Sequence, residues 1–170
     1  LKTLYLLRHA KSAWDDPSLR DFDRPLAARG RRAAPAVARH MQEQGYVPQV
    51  VLSSASRRTR ETWSLVSSVL GGDPEVRFQR SLYMADAADM LMEIHVQTNA
   101  TERLLMLGHN PSMEELAVYL AGSGDADALR SMSRKFPTAA LAVLEHRGDR
   151  WSELTRGSCH LVEFVRPKDL

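Results

Sequence analysis

The sequence predicts an α/β fold: a mainly parallel sheet with helices on both faces and an added antiparallel part near the C-terminus. Two observations predict it. Short apolar runs of strand length alternate with longer helical patterns through the first two-thirds of the chain. The last third then changes character and reads as strands around a turn. With 170 residues the chain is long enough for one sizeable core, so a single domain over 1–170 is expected.

Composition narrows the function classes. Basic and acidic side chains number 23 and 21, a net charge of +2, which is too balanced to argue for nucleic acid or a membrane surface as partner. No run approaches membrane-spanning length. The single cysteine, Cys159, cannot form an intrachain disulfide, so a reducing, cytoplasmic setting is expected. Composition says nothing about oligomeric state.

Residues 3–8 read as a first, central strand that stops at Arg8-His9. The polar stretch from Ala10 to Arg24 reads as a long loop bordering a site. Residues 26–44 read as a helix, because Ala34, Val37, Ala38 and Met41 fall at i, i+3, i+4 and i+7. Gly45 suits its C-terminus, and Pro35 predicts a kink or fresh start within it. Arg29, Arg31, Arg32 and Arg39 read as a solvated face. Residues 50–52 form a second strand, and a helix follows with Ser54 or Ser56 as N-cap and Trp63, Val66, Val69 and Leu70 as its apolar face.

Residues 76–78 read as a third strand, followed by a loop and then a helix from about Asp86 to Gln97. Met84, Met90 and Met92 read as core filler and His95 as structural. Residues 103–107 form a fourth strand running into Gly108-His109, with Asn110 as N-cap and Pro111 as first residue of a helix to about Ala121. In the tail, residues 139–144 and 151–154 flank a turn and read as a hairpin. Residues 160–165 read as a last strand.

The chemistry lies at three strand ends. In an open parallel sheet, ligands sit beyond the carboxyl ends of the strands. Arg8-His9, Arg57 and His109 each follow such an end, so two arginines and two histidines are expected to converge there. Arg57 also falls in a first helical turn, where free backbone N–H groups and the dipole favour an anion and a guanidinium fork fits phosphate oxygens. Ser12 is a candidate further donor. This is a cationic pocket for a phosphoryl group with a candidate nucleophile in it.

Leu7-Arg8-His9-Ala10-Lys11-Ser12 resembles the Arg-His-Gly motif of the histidine phosphatase superfamily. Ser53-Ser54-Ala55-Ser56-Arg57, with Thr62, resembles its second motif, Ser-(Pro or Ser)-x-x-Arg-x-x-x-x-Thr. Gly108-His109-Asn110-Pro111 resembles the motif carrying its second histidine, and Arg24-Pro25-Leu26 with Gly30 matches small members. The compact size is closest to the SixA-type phosphohistidine phosphatases. The resemblance implies a three-layer α/β sandwich and a phosphohistidine intermediate, with neither metal nor other cofactor. Two departures stand out: Ala10 replaces the usual glycine, and Arg80–Met84 lacks the glutamate general acid that larger members carry after the third strand.

The expected mechanism has His9 attack phosphorus while Arg8, Arg57 and His109 hold the oxygens, after which water releases phosphate. Without a leaving-group acid, phosphohistidine of a protein is the expected substrate. The alternatives are a general small-molecule phosphomonoesterase and a non-catalytic phosphate-binding module. A metal site on His9 and His109 ranks low because no further His, Asp or Glu falls at ligand spacing.

Overall fold

The computed structural model describes residues 1–170. Seven strands make one sheet: β1 (Lys2–Arg8), β2 (Val50–Ser54), β3 (Glu75–Gln79), β4 (Arg103–Gly108), β5 (Ala121–Gly124), β6 (Leu141–His146) and β7 (Cys159–Val165), in the order β3-β2-β4-β1-β6-β7-β5. The five helices are α1 (Ala28–Gln44), α2 (Arg57–Leu70), α3 (Ala87–His95), α4 (Ser112–Leu120) and α5 (Ala126–Arg134). β1, β2, β3 and β4 run parallel, and β6 joins β1 antiparallel, as expected.

The three layers follow from side-chain alternation along buried strands. Leu4 and Leu6 of β1, with Leu104 and Met106 of β4, face a core shared with Ile94, Leu116 and Met132 of α3, α4 and α5. Tyr5, Leu7, Leu105 and Leu107 point the other way, onto Val37, Met41 and Val66 of α1 and α2. β1 and β4 are therefore apolar along their middle, and polar residues enter where these strands begin and end.

Several expectations change on contact with the structure. α1 is one helix through Pro35, with no fresh start, and ends at Gly45 in the left-handed region (φ 73°). Ser56 is the N-cap of α2, its hydroxyl accepting from Thr59 N–H. α4 begins one residue later than expected, with Pro111 at the cap and Asn110 Oδ1 accepting from Glu114 N–H. β5 and α5 were not anticipated.

The hairpin partner of β6 is β7, not residues 151–154. Those residues form a 3₁₀ turn that buries both Trp151 and Leu154, and the indole N–H donates to the Thr101 carbonyl at 2.8 Å. Met90 is buried, but Met84 and Met92 are exposed and fill no core.

α1 is seated directly against the loop that follows His9. A Cβ added to Gly30 would lie 2.2 Å from the Lys11 carbonyl oxygen, a backbone atom that cannot swing aside. Ala27 N–H also donates to that carbonyl, so helix and loop are locked together. Gly30→Ala is expected to destabilise the fold by about 1–3 kcal/mol, the usual cost of overpacking, as read from urea denaturation.

Candidate active site

The site is built by strand order. β4 lies between β1 and β2, and Arg8 pairs in register with Gly108. The next residues on the two strands are His9 and His109, whose ring centroids are 5.2 Å apart. His9 N–H donates to the Gly108 carbonyl, which holds the two strand ends together past the last ladder pair. On the far side, Ala139 N–H reaches the Arg8 and His9 carbonyls and closes the edge against β6.

A cleft of about 260 Å³ opens over these ends. It is lined by Arg8, His9, Ser12, Arg58, His109 and Asn110, among others. Of the residues expected at the site, Arg8, His9, His109 and Ser12 are brought together and Arg57 is not. Arg57 points to solvent, its side chain 51% exposed, and pairs with Glu61 one turn on at 2.9 Å. Its neighbour Arg58 enters the cleft instead, with a side chain 8% exposed. The reason is helical phase. Thr62 also faces inward, its hydroxyl accepting from Ala10 N–H at 3.0 Å, and the residue one turn before Thr62 on the same face is Arg58.

His9 Nδ1 lies 2.7 Å from the Ala10 carbonyl. A carbonyl only accepts, so Nδ1 carries the proton, and Nε2, which has no protein partner, is left with its lone pair. Burial lowers the His9 pKa to about 3, with His109, Arg58 and Arg8 adding repulsion and the bond to Ala10 opposing. Burial likewise lowers His109 to about 4, helped by Arg58 and Arg8 against the pull of Asp21. Both rings are therefore neutral near pH 7.

His109 Nε2 meets Ser54 Oγ at 2.8 Å. That hydroxyl already accepts from Ser56 N–H, and His109 is the acceptor open to its own proton, so Ser54 donates and His109 keeps its proton on Nδ1. Three buried donors then have no acceptor in the protein: His109 Nδ1, Arg8 Nε and Arg58 Nε. The guanidinium ends are tied down, with Arg8 Nη1 on the Phe136 carbonyl at 3.0 Å and Arg58 Nη1 on the Asp21 carbonyl at 2.7 Å.

Asp21 is a site residue whose role the sequence left open. Its carboxylate accepts from Arg58 at 3.0 Å, from Arg24 at 2.8 Å and from the Tyr83 hydroxyl. Burial pushes its pKa up, but the bonds from Tyr83, Arg24 and Arg58 together hold it far below the usual carboxylate range. It positions arginines and holds no proton to give. Arg24 in turn donates to Ser12 Oγ, which leaves the Ser12 proton free. From the stretch after β3, Tyr83 packs edge-on against His109.

Comparisons with known proteins bear on the family of the chain. The model of the histidine phosphatase superfamily (branch 1) matches residues 4–83. An uncharacterized chloroplastic protein of Arabidopsis thaliana is 37% identical over 161 residues, spanning 89% of this chain and 70% of its own. A crystal structure from Agrobacterium tumefaciens, named for the phosphohistidine phosphatase SixA, is 32% identical, with a TM-score of 0.83 and 98% of each chain covered. A protein histidine phosphatase SixA solved with tungstate shares the fold, at a TM-score of 0.78, 21% identity and 98% of each chain. The chain belongs to the histidine phosphatase superfamily, and within it to the SixA type. That membership supports phosphatase hydrolysis as its activity.

Two outcomes follow. Arg58→Ala is expected to lower kcat/KM on an aryl phosphate by on the order of 10²-fold, the usual cost of one oxyanion donor, while Arg57→Ala stays within about threefold of wild type. In an NMR titration, the His9 and His109 ring protons should hold their neutral positions from pH 7 to pH 5 and shift only on approach to pH 4 and 3. The unfolded chain binds these protons below about pH 6.5 and the folded chain does not. Stability from this pair is thus full above about pH 6.5 and falls as the pH drops toward 4.

Proposed function

We propose that the protein transfers a phosphoryl group to His9 Nε2 and then to water, and that its substrate is phosphohistidine on a protein. The observation that carries this reading is that Arg8, Arg58 and His109 line one cleft with a neutral His9 and each holds a buried donor without an acceptor. Each such donor costs about 1–3 kcal/mol while unpaired, and a phosphoryl group brings enough oxygens for all three. Arg8 Nε, Arg58 Nε and His109 Nδ1 bind those oxygens, and the Ser12 hydroxyl adds a fourth donor. Arg57 has no part in it.

In the first step the His9 Nε2 lone pair attacks phosphorus and the bond to the leaving group breaks. Positive charge that builds on His9 is shared with the Ala10 carbonyl through Nδ1–H. The donors stay fixed as negative charge shifts onto the phosphoryl oxygens, so little reorganisation is needed. In the second step water attacks phosphorus, the P–Nε2 bond breaks, and neutral His9 returns with phosphate.

The leaving group decides the substrate. An alkoxide needs a proton donor, commonly worth about 10²–10⁴ in rate. Asp21 is ionised, and the Tyr83 hydroxyl is spent on Asp21 and has its pKa raised by burial and that bond. A phosphohistidine with a proton on its other ring nitrogen leaves as neutral imidazole and needs no such donor. The reading uses no metal, since this chemistry is carried by His9 and the donors around it; no group of three or more His, Cys, Asp or Glu side chains is arranged to hold a metal ion. Cys159 is buried, in keeping with a cytoplasmic, reducing setting. No helix is long and apolar enough to cross a membrane.

The test compares a phosphohistidine peptide, p-nitrophenyl phosphate and glycerol phosphate, each with and without EDTA. The expected order of kcat/KM is that order, unchanged by EDTA. His9→Ala should lose at least about 10³-fold on all three while keeping the wild-type urea midpoint. Faster turnover of glycerol phosphate than of phosphohistidine would make the protein a small-molecule phosphomonoesterase. Binding of inorganic phosphate with no turnover of any substrate would make it a non-catalytic module.

A further inference from the structure

A second recess of about 180 Å³ adjoins the His9 cleft, and Lys11 and Thr138 line both. Five of its nine lining residues are cations: Lys11, Arg29, Lys135, Arg166 and Lys168. They arrive from four separate segments: the loop after β1, the first turn of α1, the end of α5 and the turn after β7. Arg166 is paired with Asp169 at 2.9 Å, whereas the other four enter no ion pair. The chain as a whole carries only +2, so this cluster is local and not a sample of general basicity.

Four unpaired cations facing one recess repel each other, and an oxyanion placed among them would relieve that repulsion. The shape limits which oxyanion. The recess holds about six waters' worth of space at about 30 Å³ each. Its single hydrophobic lining residue is Ala33, and it has no aromatic wall on which a base could stack. A carboxylate or lone phosphate fits, and a nucleoside does not. Its link to the His9 cleft is also rigid: the turn carrying Pro137 and Thr138 is tied by Ala139 N–H to the Arg8 and His9 carbonyls.

We infer that this recess is a second oxyanion subsite, which takes an Asp or Glu carboxylate flanking the phosphorylated residue of a protein substrate. The inference rests on the proposed function in placing the phosphoryl group at His9. It makes the protein selective for phosphorylated residues in acidic surroundings. The recess then governs substrate capture, and His9 governs the chemistry.

The test begins with binding, independent of turnover. Hexaglutamate is titrated calorimetrically into wild type, into Arg29→Gln/Lys135→Gln/Lys168→Gln, and into the equal-charge control Arg32→Gln/Arg39→Gln/Arg147→Gln. All six positions are exposed, so the fold is not at risk. The first triple variant should bind about tenfold more weakly and the control nearly as wild type. Equal weakening in both, or none in either, overturns the subsite, as does binding of tripolyphosphate but not hexaglutamate.

Kinetics then follow with phosphohistidine peptides flanked by Glu or by Ala. KM for the Glu peptide should be about tenfold lower in wild type. That advantage should vanish in the first triple variant, while its turnover of p-nitrophenyl phosphate is unchanged. Equal KM for the two peptides in wild type counts against the subsite. If wild type hydrolyses p-nitrophenyl phosphate but neither peptide, the proposed function fails, and the hexaglutamate titration still decides the recess.

Discussion

The site depends on one pairing: β1 beside β4, parallel and in a register that sets Arg8 opposite Gly108. Shift that register by one residue and Tyr5 and Leu6 exchange faces, so a ring packed against Tyr46 in one filled core would have to enter the other. The apolar packing that stabilises the sheet therefore also fixes the distance between His9 and His109. Neither histidine needs a dedicated scaffold. Each is simply the first residue beyond a strand that cannot slide.

The electrostatics of the cleft follow from that placement. Two imidazoles and two guanidiniums share one cleft and are largely buried there, and under those conditions the imidazoles give up their protons first. The arginines stay charged and need a counterweight, which Asp21 supplies to Arg58 and Arg24. Asp21 is half-exposed, so the pair is solvated on one side, and its carboxylate holds Arg58 without filling the cleft. One acid holds Arg58 and Arg24 in place and is thereby lost as a proton donor.

Most of this was legible in the sequence, because the central strands are apolar on both faces and end abruptly at polar motifs. Arg8, Ser12, His9 and His109 needed only the strand ends. Arg58 needed the helical phase: stepping back from buried Val66 by four gives Thr62, and by four again Arg58. Arg57 and Glu61 share the opposite, solvent side. The 151–154 segment was misread for a related reason. Trp151 and Leu154 are both buried at a spacing of three, a turn's period and not a strand's. β5 and α5 carried too little signal. β5 is Ala-Gly-Ser-Gly on a sheet edge, and α5 buries only Met132. Asp21 could not be singled out among the loop's acids, since its partners Arg24, Arg58 and Tyr83 come from three segments.

The central position of β1 also bears on how the molecule assembles. Its two neighbours are β4 and β6, so Thr3 pairs with Arg103 and Lys2 with His146. The strand that leads into His9 is made before either of its neighbours and is bonded on both edges only by segments made much later. Local helices can form early, but the sheet must wait for long loops to close, the ordering that makes non-local topologies slow. During synthesis Leu4–Leu7 is an unpaired apolar strand, the kind of segment that invites contact with other chains. The same topology that buries His9 so completely in the finished protein leaves it, until β6 arrives, on an open edge.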